Sequence, residues 1–192
     1  MELKECRVCG STQLTPFLDL GNQPLANALL TKEQLREKEN YYPLKIVVCN
    51  KCSFCQLSFN VDPKQLFSNY YYFSSMSKTS EKHYAQLAKD VLEFVDKKNP
   101  FVVEVASNDG ILLKNYKNTC VSFLGIEPAK NIAKQANENG IPTIPEFFNE
   151  KNAVEIAKNH GKADVLIGTN VFAHVPDLHD FVKGINAILG EE

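Results

Sequence analysis

The chain has 192 residues and a mass of 21.6 kDa, which allows one medium domain or two small ones at about 100–200 residues each. Hydrophobic residues make up 44% and charged residues 23%, which excludes a disordered, collagenous or low-complexity chain. Lys and Arg total 21 against 23 Asp and Glu, a formal net charge of -2, so no global attraction to nucleic acid or anionic lipid is built in. The opening MELKECRVCG has no apolar run after a basic start, and no stretch approaches the roughly 20 apolar residues of a membrane helix. The expected location is the cytoplasm, with neither nucleic acid nor membrane as partner.

In a reducing compartment, clustered cysteines bind metal or do redox chemistry more often than they form disulfides. Cys6 and Cys9 form one C-x2-C pair, and Cys49 and Cys52 form a second. Two such knuckles can close a tetrahedron of thiolates around Zn2+. Gly10 follows the first knuckle where a tight turn is needed, and the β-rich run Tyr41–Val48 leads into the second. The pattern resembles a zinc ribbon, although the stretch 10–48 is longer than the roughly 15–20 residues of a compact one. Buried free thiols and a redox dithiol are the competing readings. With four cysteines and no position left to water, the zinc is expected to be structural. Cys55 is expected to pack beside the site as a small apolar residue, or else to replace Cys52 as a ligand, and Cys120 to pack in the core.

Between the knuckles, residues 18–25 read as a loop and Thr31 as a helix start. Asp62-Pro63 opens a short helix toward Phe67. The cluster Tyr70-Tyr71-Tyr72-Phe73-Ser74-Ser75 reads equally as a hinge or as a substrate lid whose phenols offer hydrogen bonds. The expected division is a zinc-binding domain with this lid segment over 1–75 and a Rossmann-like domain over 76–192.

A helical stripe of His83, Leu87, Val91 and Val95 runs from Glu81 toward Asn99-Pro100. Strands then alternate with helices: strands at 101–105, 121–126, 142–144 and 163–168, helices at 111–116, 128–139, 150–159 and 178–189. This alternation implies an α/β fold with a parallel, doubly wound sheet. Ligands of such sheets bind beyond the carboxyl ends of the strands.

The turn after the first of these strands, Glu104-Val105-Ala106-Ser107-Asn108-Asp109-Gly110, is a degenerate relative of a glycine-rich nucleotide loop, with Ala106 and Asn108 at positions often held by glycine. A side chain larger than those at Ala106 or Gly110 would fill cofactor volume, while Asn108 and Asp109 can cap the next helix. Glu127 ends the second strand, where a carboxylate can accept hydrogen bonds from both hydroxyls of a ribose. A plain strand-to-helix turn is the competing reading. The turn is poor in glycine and rich in acidic groups, which favours a cationic, phosphate-free cofactor such as S-adenosyl-L-methionine over a pyrophosphate. The fourth strand leads into Gly168-Thr169-Asn170 and on to His174. That histidine serves packing, or acid–base chemistry if it borders a cofactor pocket.

Taken together, Cys6-x2-Cys9-Gly10, Phe17–Gly21, Pro24–Asn27, Cys49-x2-Cys52, Gln56-Leu57, Tyr72–Ser75, EVASNDGILL, GIEPA and NVFAHVPD resemble the sugar C-methyltransferases. These are class I S-adenosyl-L-methionine-dependent enzymes with an N-terminal zinc-binding domain. The resemblance implies that Cys6, Cys9, Cys49 and Cys52 hold zinc. It implies that Glu104, Ala106, Ser107, Asn108 and Gly110 line the methionine side of the cofactor and that Glu127 binds its ribose. Glu146 and Phe147 would flank adenine, and Asn170 would complete the cofactor site. Tyr72 would belong to the sugar site and His174 would border the transferred methyl. The implied chemistry removes a proton beside the ketone of a nucleotide-linked ketodeoxysugar and passes the methyl to the resulting enolate.

The resemblance covers the N-terminal part of that family, whose sheet continues into further strands and a C-terminal domain. The expectation is therefore a fragment or one half of a split enzyme, with the strand at 163–168 as an edge that a second chain could complete. A non-catalytic zinc-binding assembly module is the alternative. An NAD-dependent oxidoreductase is disfavoured by the chemistry of the turn.

Overall fold

Valine, isoleucine and tyrosine dominate the run Tyr41–Cys49, and such residues suit a pleated, half-buried surface. In the computed structural model, which describes residues 2–67 and 70–190, this run is strand β2, the middle of a three-stranded antiparallel sheet. Its neighbours are β1 (Leu14–Pro24) and β3 (Cys55–Leu57). The loop expected over 18–25 is therefore strand: the register runs from Leu14 opposite Cys49 to Pro24 opposite Tyr41. The turn-forming residues are absorbed by an irregularity between Asp19 and Asn22, where Gly21 has φ +69° and its N–H donates to Asp19 Oδ1 at 3.0 Å. The helix start at Thr31 yields one 3-10 turn, Gln34–Arg36. There the Gln34 N–H donates to Thr31 Oγ1 (3.3 Å) and the Thr31 N–H to Gln34 Oε1 (2.9 Å). Helix α1 (Pro63–Phe67) forms after Asp62 as expected.

The chain divides into two compact units, Met1–Tyr70 with Pro176–Leu178, and Tyr71–Val175 with His179–Glu192. The division falls within the aromatic–serine segment, between Tyr70 and Tyr71, earlier than position 75. The terminal Glu191 and Glu192 lie outside the described residues.

In the second unit, α2 (Lys78–Glu93) begins at Ser77, whose Oγ accepts the Ser80 N–H at 3.4 Å. Its packed face carries Tyr84, Leu87, Ala88 and Leu92, so the expected stripe is rotated and His83 is exposed. Four parallel strands follow: β4 (Phe101–Val105), β5 (Ser122–Ile126), β6 (Thr143–Ile144) and β7 (Val165–Gly168). Their order is β6-β5-β4-β7, so the direction of winding reverses at β4. Helices α3 (Lys130–Glu138) and α4 (Glu150–His160) make the crossovers, and α5 (Leu178–Ile188) follows β7.

The two-residue period of β4 splits the core. Val103 and Val105 pack with Leu124, Ile126, Ile156 and Phe181. Val102 packs with Ala88, Leu112, Leu113, Tyr116 and Ile141. The helix expected over 111–116 is only a 3-10 turn, Leu113–Tyr116. Asn115 Nδ2 donates to the carbonyls of Ile111 (3.0 Å) and Leu112 (2.8 Å), competing for the acceptors that an α-helix would give to amides. Among the described residues, no helix is long and apolar enough to cross a membrane.

Candidate functional site

The first unit holds a cluster of thiols. Cys6 Sγ lies 3.6 Å from Cys52 Sγ and Cys9 Sγ 3.6 Å from Cys49 Sγ, and all four sulfurs fall within 4.8 Å of one another. A tetrahedral Zn2+ with bonds of about 2.3 Å separates its sulfurs by about 3.8 Å. The donor set therefore fits zinc, and four thiolates leave no position for a catalytic water.

Both knuckles are built alike. The Gly10 N–H donates to Cys6 O (2.9 Å) and the Cys6 N–H to Ser11 O (2.9 Å); the Ser53 N–H donates to Cys49 O (2.8 Å) and the Cys49 N–H to Phe54 O (2.9 Å). Gly10 and Ser53, each just after the second cysteine of its pair, have φ of +69° and +62°. Burial raises the Cys49 thiol, but the amides of Cys52 and Lys51 and the thiols of Cys9 and Cys52 bring it down to about 6. Between residues 2 and 67 only Cys6, Val47, Cys49 and Gln56 are buried, a core too thin to hold a small domain without a staple. Cys55 and Cys120 are both exposed, correcting the expectation that they pack inside. Cys55 lies on the short strand β3, and the Cys120 thiol donates to Lys98 O at 3.1 Å.

The carboxyl ends of β4 and β5 gather the second group of residues. Ala106 and Asn108 have φ of +53° and +51°, the left-handed conformation that glycine adopts freely. The turn thus has the backbone of a glycine-rich loop without its glycines. Glu127 is 5% exposed; its Oε2 accepts the Asn108 N–H (2.9 Å) and its Oε1 the Ala129 N–H (2.8 Å). The carboxylate therefore faces the turn.

Three buried polar atoms of this region have no hydrogen-bond partner among the described residues: Glu104 Oε2, Ser107 Oγ and Asp109 Oδ1. Acceptors left in this state are costly unless a ligand meets them. Burial, then the charges of Glu127 and Asp109, hold the Glu104 carboxyl well above the usual range. Burial also raises Glu127, against the lowering effect of its two amide donors. Burial and then Glu104 push the Tyr116 phenol up to about 12. A ligand carrying positive charge and hydroxyls suits this collection of acceptors, and S-adenosyl-L-methionine has both.

Two expectations about the turn need correcting. A Cβ on Gly110 would stand 2.8 Å from Ile141 Cγ2, so this glycine makes room for the protein's own core and not for cofactor. Asn108 and Asp109 cap no helix. Their side chains instead take the Ser74 N–H on Asn108 Oδ1 (2.9 Å) and the Ser75 N–H on Asp109 Oδ2 (3.2 Å).

The remaining candidates reach this edge by separate routes. Gly168 pairs with Val105, which sets Thr169 and the exposed Asn170 (φ +55°) at the carboxyl end of β7, beside β4. His174 is exposed on the turn Phe172–His174 that follows. Glu146 is exposed and Phe147 half-buried just beyond β6, where Ile144 O accepts the Glu127 N–H at 3.0 Å. Tyr72 is joined to the turn through its carbonyl, which accepts from Asn108 Nδ2 at 3.1 Å, while the residue is half exposed. Sequence reasoning missed the Tyr84 hydroxyl, 3.4 Å from Thr169 Oγ1.

A four-thiol metal module followed by a Rossmann-like α/β unit with an acid-lined edge defines the class. Residues 6–67 match the family described as "Putative zinc binding domain" and residues 80–192 the family described as "Methyltransferase domain". The chain belongs to this family of methyltransferase domains preceded by a zinc-binding domain. It is 34% identical over 191 residues to the C-methyltransferase NovU of Streptomyces niveus, covering 99% of this chain and 46% of that protein. The chain thus spans about half the length of this relative. Among solved structures, magnesium protoporphyrin IX methyltransferase from Synechocystis aligns with a TM-score of 0.44 at 10% identity, over 57% of this chain and 54% of that one. The YcgJ protein of Bacillus subtilis aligns with a TM-score of 0.45 at 14% identity, over 57% and 47%.

Proposed function

We propose that the chain is the cofactor-binding part of an S-adenosyl-L-methionine-dependent C-methyltransferase that acts on a nucleotide-linked ketodeoxysugar through an enolate. The observation that carries the reading is the carboxylate of Glu127 turned onto the Asn108 amide, beside three buried acceptors without partners. The likeness to NovU, a C-methyltransferase, supports carbon as the methylated atom.

When bound, S-adenosyl-L-methionine supplies an electrophilic methyl on a sulfonium. In this reading Glu127 accepts the ribose hydroxyls, as a buried carboxylate at the end of a second strand can. Glu104 and the turn Ala106–Asp109 face the methionine side with buried oxygens and backbone, and Glu146, Phe147 and Asn170 close the remaining borders. Tyr72 donates a hydrogen bond to the acceptor ketone, lowering the cost of negative charge as it becomes an enolate oxygen. His174 moves a proton near the reacting carbon. Alignment of carbon and methyl at about 3–3.5 Å then supplies most of the remaining advantage. Zinc fastens the first unit and takes no part in the transfer.

Strand β7 pairs only with β4 among the described residues, and Val165, Leu166 and Ile167 are half-buried there. Such an apolar edge calls for a cover, and further strands, from this polypeptide or a second chain, provide it. The cytoplasm is the proposed location, consistent with six unpaired thiols.

The test is incubation of zinc-loaded protein with S-adenosyl-L-methionine and a panel of nucleotide-linked ketosugars, followed by mass spectrometry. Formation of S-adenosylhomocysteine with a methyl group on sugar carbon supports the reading. Cofactor binding with no transfer to any sugar favours the assembly module, and tight binding of NADH revives the oxidoreductase.

A further inference from the structure

The segment just before α2 is poorly packed on its own account. None of residues 71–77 is buried, Tyr71 and Tyr72 are each 51% exposed, and the 3-10 turn Ser74–Met76 leaves Met76 77% exposed. Segments with so few buried contacts open at low free-energy cost. Polar bonds to two residues of the turn after β4 hold this one. Asn108 Oδ1 accepts the Ser74 N–H at 2.9 Å while Asn108 Nδ2 donates to Tyr72 O at 3.1 Å, and Asp109 Oδ2 accepts the Ser75 N–H at 3.2 Å. The orientation of the Asn108 amide is fixed by this pairing, since the flipped side chain would set donor against donor and acceptor against acceptor.

The main chain of the same asparagine is used elsewhere. Its N–H donates to Glu127 Oε2 at 2.9 Å, and its φ of +51° points backbone and side chain to these two separate tasks. One residue thus grips the carboxylate at the end of β5 with its amide and the Tyr72–Ser75 segment with its side chain.

We propose that Asn108 is a positioning residue that couples nucleoside binding at Glu127 to the placement of the Tyr72–Ser75 strap on the acceptor side of the site. This rests on the reading of Glu127 as a ribose acceptor. Hydroxyls bonded to the carboxylate favour its ionised form, and an ionised acceptor holds the Asn108 N–H more strongly. The turn is thereby stiffened, and the side chain that clamps Tyr72 and Ser74 is held in register. The strap, clamped already without ligand, is then held more firmly once the nucleoside is in place.

The experiment is hydrogen exchange of the strap amides by mass spectrometry on the full, zinc-loaded chain, with and without S-adenosylhomocysteine, for wild type and Asn108→Gly. Glycine accepts the positive φ and keeps the amide to Glu127, so the variant removes only the clamp. Wild type should show a protected strap whose exchange slows further with S-adenosylhomocysteine. Asn108→Gly should exchange there roughly tenfold or more faster, the loss expected for two hydrogen bonds, and show no response to ligand. Its calorimetric affinity for S-adenosylhomocysteine should fall by the same factor by which ligand slows strap exchange in wild type, because such coupling is reciprocal.

A wild-type exchange pattern in the variant, with ligand bound, overturns the proposal and leaves the cofactor reading intact. Loss of ligand binding together with the strap also overturns it, by placing the side chain among the cofactor contacts themselves. If wild type itself binds no S-adenosylhomocysteine, the reading of Glu127 fails and the coupling fails with it.

Discussion

Glu127 Oε2 accepts the backbone N–H of Asn108 at 2.9 Å, a bond that joins the acid at the end of one strand to the turn at the end of its neighbour. Its other oxygen takes the Ala129 N–H, so both amides are satisfied by one buried carboxylate that still has lone pairs for a ligand.

Replacing Glu127 by Gln keeps the shape but turns an NH2 group toward one of these amides. A stability loss of about 1–3 kcal/mol is expected from the buried donor left unmet. Binding of S-adenosylhomocysteine should weaken roughly tenfold or more, because hydrogen bonds to a charged acceptor are the stronger kind. Urea unfolding and calorimetry on the same sample check both parts.

The pH dependence of the second unit should carry the mark of Glu104. Its folded-state pKa is raised by burial first and by Glu127 and Asp109 next, so above the ordinary carboxylate range the folded protein keeps a proton that the unfolded chain has released. Stability is therefore greatest at the acid side of that window and falls as pH rises toward the folded-state pKa. Glu104→Gln removes the titration. Melting curves between about pH 5 and pH 8 should be flatter for the variant than for wild type, with the variant gaining relative stability at the alkaline end.

Two glycines separate backbone strain from crowding. Gly110 and Gly161 both have positive φ, +77° and +89°, but a Cβ at 110 meets Ile141 Cγ2 at 2.8 Å while nothing lies within 4 Å of one at 161. Gly161→Ala should cost about 1–3 kcal/mol from conformation alone, because its φ of 89° with ψ of 173° is a region almost confined to glycine. Gly110→Ala should cost more by about 1–3 kcal/mol, from overpacking. Equal losses in denaturant unfolding would remove the crowding argument.

Zinc removal should act on the first unit alone. Structural zinc contributes apparent binding free energy on the order of 10–16 kcal/mol, far more than four buried residues supply. A strong chelator, or Cys9→Ser, should therefore abolish the metal content of one zinc per chain and expose the amides of β1, β2 and β3 to exchange. Retention of one zinc and of wild-type melting in Cys9→Ser would falsify the four-thiolate assignment.

Much of this arrangement is legible in the sequence because it is local. Two C-x2-C pairs announce the thiol cluster, and the alternation of strand and helix over 101–189 announces the parallel sheet, since periodicity records which faces are buried. What resisted reading depends on partners distant in sequence. Residues 18–25 look like a loop because Asp19, Gly21 and Asn22 favour turns, yet pairing with β2 makes them strand with an irregularity. Leu113–Tyr116 looks helical until Asn115 takes the carbonyls at 111 and 112. Asn108 and Asp109 look like helix caps because short polar side chains bond to backbone nearby, and they do so here to Ser74 and Ser75, a segment no periodicity connects to them.

The most direct test of the whole account is calorimetric titration of the zinc-loaded chain with S-adenosylhomocysteine, run beside Glu127→Ala. One nucleoside per chain for wild type, and none or a greatly weakened interaction for the variant, still folded with its zinc but melting at a lower temperature, is the predicted result. Equal binding by both proteins would contradict the assignment of Glu127, and no heat from folded, metal-loaded wild type would contradict the cofactor site itself.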